Sequence, residues 1–274
     1  MKYFLFIISI FLCHHTIAQS VFSGQIIDSQ TEEKLAYVNI GIIGKNIGTV
    51  SDLDGNFSLD FDENYNMDTL RISMVGYETK DFVVSEFQKM INDNPTVKLN
   101  QQSVDIKEIV ISSRQLKTKV LGNKTTSQNI SAGFMSNDLG NEIGIKIKIK
   151  RSPSYIKDFN VSIVENVFDT VRFRLNFYSI KNGIPDKNLN FENIIVETNI
   201  KNGILTVDLE KYNIVVEDDF YVTMEWIEDF GDAETGLMFS ANFFNKKIVA
   251  RATSQGNWKK LGVVSVGMNV TVDY

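Results

Sequence analysis

Strict two-residue alternation is the feature that most limits the fold. In EIGIKIKIK, Ile143, Ile145, Ile147 and Ile149 fall on one side of an extended chain and the lysines on the other; in TVRFRLNFYSI, Val171, Phe173, Leu175 and Phe177 oppose Arg172, Arg174 and Asn176. DFYVTMEWIE aligns Phe220, Val222, Met224 and Trp226 in the same way. Only a strand sends successive side chains to opposite faces, so each run offers an apolar face to a core and a polar face to water. GLMFSANFF, VVSVGMNVTVDY and runs near Phe159, Ile194, Leu205 and Val249 bring the second half of the chain to about nine strands, at sandwich spacing. A small outer-membrane barrel also alternates, and the chain ends on Tyr274. Ordinary turns at 182–185 and 202–203, strands short of roughly 9–11 residues and the lack of evident aromatic girdles favour the sandwich.

The first twenty residues, MKYFLFIISIFLCHHTIAQS, carry Lys2, an apolar run over 3–12 and a small-residue exit at Thr16 and Ala18. This pattern reads as a secretory signal peptide cleaved after Ala18; Leu12 before Cys13 argues against a lipoprotein anchor. About 256 residues then remain, enough for two domains. The polar stretch QLKTKVLGNKTTSQN, 115–129, lacks apolar periodicity and reads as a linker. The expected division is a signal peptide at 1–18, a first β-domain at 19–100, an extended segment and linker at 101–130, and a C-terminal β-sandwich, jelly-roll-like, at 131–274.

Cleavage has a chemical consequence. Cys13, His14 and His15 are the only cysteine and histidines of the chain. A mature protein without them has no disulfide, no thiol or serine–histidine nucleophile system and no zinc site of the usual kind. Carboxylate chemistry and oxygen-ligand metal binding remain. Residues 19–99 carry 6 Lys+Arg against 13 Asp+Glu, whereas 100–274 balance at 21 of each, so nucleic acid is not an expected partner.

In the first domain, alternating runs at 22–27, 36–42, 56–61, 69–74 and 79–84 read as strands, with one short helical piece, SEFQKMI, turning Phe87 and Met90 to one side. Within GTVSDLDGNFSL, Asp52 and Asp54 suit either half of a calcium loop or a tight hairpin between strands. The twelfth position from Asp52 is Glu63, but the strand pattern over 57–61 would draw the chain away from an ion, so the hairpin reading is preferred. Asp52 and Asp54 remain the residues a metal would use.

The series Gly24, Asp28, Thr31, Leu35, Ala36, Val38 and Ile40, then Gly48-Thr49, Ser51-Asp52, Asp54-Gly55, Phe57 and Leu59, closing on Ser73, Val75, Gly76 and Tyr77, resembles the carboxypeptidase-regulatory-like domain common in Bacteroidetes envelope proteins. The resemblance covers about 80 residues and implies a seven-stranded transthyretin-like β-sandwich. It does not imply peptidase activity, because catalysis in the enzymes that give the family its name belongs to another domain with histidine ligands. VDIKEIVISSR, 104–114, is similar to the segment that follows this domain in TonB-dependent transporters, where it pairs with a periplasmic partner by strand addition. That likeness implies partner binding through Glu108, Ile109, Val110 and Ile111; a last strand or plain linker is the alternative.

The expectation is therefore an all-β, two-sandwich, non-catalytic cell-envelope binding or accessory protein without cofactors, exported to the periplasm or outer-membrane periphery and membrane-peripheral at most. A carbohydrate or an outer-membrane protein is the expected partner. Trp226 continues an apolar face and reads as core; Trp258, after the loop signal SQGN, is the candidate sugar-stacking residue. An assembly adaptor using residues 108–113 is the alternative function. A glycosidase drawing on Glu225, Glu228, Asp229, Asp232 and Glu234 is a further one, although a charged loop after a strand explains that cluster more simply.

Overall fold

The alternating runs become strands with their apolar sides inward. The computed structural model describes residues 20–102, 116–134, 136–230, 236–243 and 248–274. In the front module, β1 (Ser20–Asp28), β2 (Asn39–Ile42), β3 (Gly48–Val50), β4 (Asn56–Phe61), β5 (Thr69–Ser73), β6 (Lys80–Val83) and β7 (Thr96–Leu99) form two sheets, ordered β4-β1-β7 and β3-β2-β5-β6. These are the seven strands that the resemblance implied. β4 shows the pattern clearly: Phe57, Leu59 and Phe61 are buried while Asn56, Ser58 and Asp60 are exposed. A helix, α1 (Val84–Asp93), closes one side; Val84, Phe87 and Ile91, at helical spacing, enter the core between the sheets, and Met90 packs partly against it.

The Asp52–Asn56 turn differs from expectation. Asp52 N–H donates to Asn56 O at 2.8 Å and Gly55 N–H to Asp52 O at 3.1 Å, as in a tight turn. Yet β3 pairs with β2 and β4 with β1, so the turn carries the chain from one sheet to the other instead of joining two paired strands. Gly55 is required on two counts: its φ is +74°, and an added Cβ would lie 2.5 Å from Ile26 O.

The second module is a larger sandwich, with fifteen strands among the described residues rather than about nine, because long runs are accompanied by short edge pieces. One sheet orders Ile184–Asn188, Val171–Lys181, Phe220–Trp226, Glu142–Ile147, Ile248–Arg251 and Lys259–Leu261, with Ile194–Thr198 also pairing with Val171–Lys181. The other centres on Ser154–Asn166, which pairs with Leu237–Phe243, Met268–Asp273, Gly203–Asp208 and Val215–Val216. Ile143, Ile145, Phe173, Phe177, Val222 and Trp226 from the first sheet meet Phe159, Val161, Phe239 and Val270 from the second. Each such fully buried side chain contributes on the order of 1.5–3 kcal/mol relative to exposure. The apolar faces of both sheets thus point inward, which replaces the barrel alternative with two packed sheets.

Part of the expected linker is strand. Thr118–Gly122, inside the segment 101–130, pairs antiparallel with Met268–Asp273, and Leu121 enters the second core. With one buried side chain in the strand it has no readable periodicity; backbone hydrogen bonds hold it. The front core runs from Phe22 to Leu99 and the second from Leu121 to Val272.

Candidate functional site

Alternation puts a second set of residues on the outward side of the seven-stranded sheet. Register aligns Arg174 with Glu225, Glu225 with Glu142, and Glu142 with Arg251. Four adjacent strands therefore carry one transverse row with charges +, −, −, +. In a free-standing sandwich this row would meet water, but here Glu142 and Glu225 are 0 % exposed, Arg174 2 % and Arg251 9 %. The front module and the loop 253–258 cover it.

The row is also the joint between modules. Arg174 Nε donates to Glu225 Oε2 at 2.8 Å, Nη1 to the Tyr37 carbonyl at 2.6 Å and Nη2 to Asn39 Oδ1 at 2.7 Å. Ser254 Oγ donates to the same Asn39 oxygen at 2.9 Å. Tyr37 adopts φ +62°, a left-handed conformation that a tyrosine rarely takes, and the guanidinium holds its carbonyl in place. Arg251 Nη2 donates to Glu142 Oε2 at 2.6 Å, and Glu142 Oε1 accepts from Asn176 Nδ2 at 3.0 Å and from the Thr223 hydroxyl.

These partners set the charge states. Burial pushes the Glu142 carboxyl above its usual range; Arg251 pulls it back in part, and the neighbouring Glu225 adds to the rise. Burial acts in the same direction on Glu225, but Arg174 and then Arg251 reverse the sign and hold it below the ordinary value. Burial, reinforced by Glu142, raises the Tyr178 phenol well above its ordinary value. Two carboxylates and two guanidiniums balance the row, and removing one member of such a set leaves an uncompensated buried charge, at a cost of about 3–5 kcal/mol.

Backbone contact completes the joint. An added Cβ on Gly41 would lie 2.4 Å from Ser254 O, and one on Gly48 2.3 Å from the same atom, so both glycines admit the 253–257 loop at van der Waals limits. Gly44 N–H donates to Gln255 O at 2.9 Å, Asn257 Nδ2 to Gly44 O at 2.6 Å and Gln255 Nε2 to Ser73 Oγ at 2.9 Å. Beside this joint lies a cleft of about 720 Å³, with Asp52, Asp54, Asn56 and Ser58 of the front module on one wall and Glu228 and Asp229 of the second on the other.

The sequence-derived candidates fall as follows. Asp52 Oδ1 accepts the Asp54 and Asn56 N–H groups, each at 2.8 Å, while Asp54 pairs with Lys34 at 2.8 Å. No group of three or more potential metal-ligating side chains is found among the described residues. Trp258 is half-buried: the Arg251 guanidinium lies 4.9 Å from its ring centroid, and Tyr178 meets it edge-on at 5.6 Å. Trp226 is fully buried, as expected. Glu108, Ile109, Val110 and Ile111 lie outside the described residues, as do Asp232 and Glu234. Of the acidic cluster, Glu225 belongs to the row and Glu228 accepts Arg172 Nη1 at 2.8 Å.

The sequence reading missed the row. It placed Arg174 and Asn176 on a polar face and gave Glu225 to a charged loop. The available signal was opposite charge at corresponding outward positions of neighbouring runs, but without the pairing order it has no partner to point to.

Residues 22–111 match the family model of the CarboxypepD_reg-like domain. The front module is a CarboxypepD_reg-like domain. The motif residues of this domain hold it together: Asp28 accepts the Gln30 and Thr31 N–H groups at 2.7 and 3.0 Å, the Tyr77 hydroxyl at 3.0 Å and Gln101 Nε2 at 2.7 Å. None of the curated proteins compared with the chain matches it. Among solved structures, it is similar to the infectious bursal disease virus VP2 subviral particle at 10% identity and a TM-score of 0.25, over 93% of this chain and 63% of that one, a likeness too slight to carry an argument.

Proposed function

We propose that the protein is a non-catalytic accessory protein of the cell envelope, exported to the periplasm or outer-membrane periphery, that binds a carbohydrate or an envelope protein at the cleft between its two modules. The observation that carries this reading is the use made of its buried charges. Glu142 and Glu225 are sealed from solvent, and the guanidiniums that face them also tie the modules together. A pair of carboxylates in that position fixes a geometry and offers no access to a substrate. The front domain adds support, being of a regulatory, non-catalytic kind. The cleft falls within the roughly 300–1,000 Å³ of ordinary ligand sites.

Thermal-shift titration of the purified protein against a polysaccharide panel and a panel of envelope proteins tests this reading. A ligand-specific rise in midpoint that is lost on substituting Glu228, which lines the cleft, is expected. Failure of every ligand to raise the midpoint would sink the binding reading, and release of reducing ends abolished by Glu228→Gln would overturn the non-catalytic one.

A further inference from the structure

The wall of the cleft formed by β4 is a sheet edge. Among the described residues β4 pairs with β1 alone. Ile26 N–H donates to Gly55 O, and register then carries the same bonding through Gly24 with Phe57 and Phe22 with Leu59. In an antiparallel pair the intervening residues direct their N–H and C=O groups away from the partner. The main-chain groups of Ser58 and Asp60 therefore point outward, with Ser58 at the cleft. An unpaired edge of this kind is a template for an added strand.

Charge says what that strand carries. The described residues lining the cleft include four carboxylates, Asp52, Asp54, Glu228 and Asp229, and no lysine or arginine. Lys34 and Arg172 reach Asp54 and Glu228 from outside that lining, and the surrounding module is strongly acidic. We propose that the cleft takes an extended polypeptide segment bearing basic side chains, which adds to the Ser58–Asp60 edge as a further strand. This rests on the cleft being the binding site and narrows the partner to a protein.

Titrating the purified protein with an alternating Lys-Val octapeptide, an alternating Glu-Val octapeptide and an N-methylated Lys-Val version tests it. The Lys-Val peptide is expected to bind, to shift the amide resonances of residues 56–60, and to weaken at least tenfold on N-methylation, which keeps the charge but removes the ladder. Ser58→Pro deletes an outward N–H at a position where an edge tolerates proline, and should weaken binding similarly with little change in melting midpoint. No Lys-Val binding, equal binding of the Glu-Val peptide, or binding indifferent to both N-methylation and Ser58→Pro overturns the proposal. If a polysaccharide instead raises the midpoint and is lost on substituting Glu228, the binding function stands and the added strand does not.

Discussion

Arg174 Nη2 and Asn39 Oδ1 are 2.7 Å apart across the module boundary, although 135 positions separate them in sequence. The same guanidinium pairs with Glu225, so one side chain is shared between the fold of the second sandwich and its attachment to the first.

Replacing Arg174 by methionine should therefore be costly. It leaves Glu225 buried with less compensation, for an expected loss of about 3–5 kcal/mol. At about 2–4 °C per kcal/mol for a chain of this size, the midpoint falls by roughly 10 °C. The double variant Arg174→Met with Glu225→Leu should lose less than the sum of the singles, with a coupling above about 1 kcal/mol in a denaturation cycle. Additive losses would mean that the pair does not act as a unit.

Gly48→Ala tests the backbone contact. The new methyl would meet the Ser254 carbonyl at 2.3 Å, forcing the modules apart at an expected cost of about 1–3 kcal/mol and speeding amide exchange over 253–257. Gly76→Ala is the comparison: nothing lies within 4 Å of its added Cβ, and only the strain of φ +85° is felt, leaving exchange in that loop unchanged.

Acid sensitivity should centre on Asp28. Hydrogen bonds from the Thr31 and Gln30 amides, then from Gln101 and Tyr77, hold its carboxyl well below the usual range. A depressed folded value means that the stabilisation is complete above the unfolded value of about 4 and is lost as pH falls below it. Glu225 has the same sign, whereas Glu142, raised in the fold, opposes it. Urea midpoints of Asp28→Asn should be lower at pH 7 and fall less steeply from about pH 5 to 3 than those of the parent. Parallel pH profiles would show that Asp28 is not the group being titrated.

Removing residues 118–122 should unfold the second sandwich. Without that strand, Met268–Asp273 loses one neighbour and Leu121 leaves the core. A second module begun at residue 131 is expected to aggregate, while one begun at 116 keeps its strand pairing; equal solubility of the two would contradict this.

The inward faces were readable from the chain because period-two alternation is local: Phe57, Leu59, Phe61 and Trp226 lie where their spacing puts them. The turn at Asp52–Gly55 was readable as a turn, but the choice of sheet on either side depends on β1 and β2, far off in sequence. Arg174 and Glu225 were hidden for a related reason. Alternation says that they face outward, and only the tertiary fold says that outward is covered by Tyr37, Asn39 and the 253–258 loop. Trp258 follows a loop signal, yet Arg251 and Tyr178 fold against it.

The pairing of Thr118–Gly122 with Met268–Asp273 also sets an order of events. The opening strand of the second sandwich waits for residues 155 positions further on, as the contact of Thr118 with Asp273 shows, so this half cannot close until they have been made. Contacts this distant in sequence form late and slowly. The front domain, whose strands lie within the first hundred residues, can be complete before its seat exists, whereas the Arg174 clasp needs residues of both modules and can form only after that.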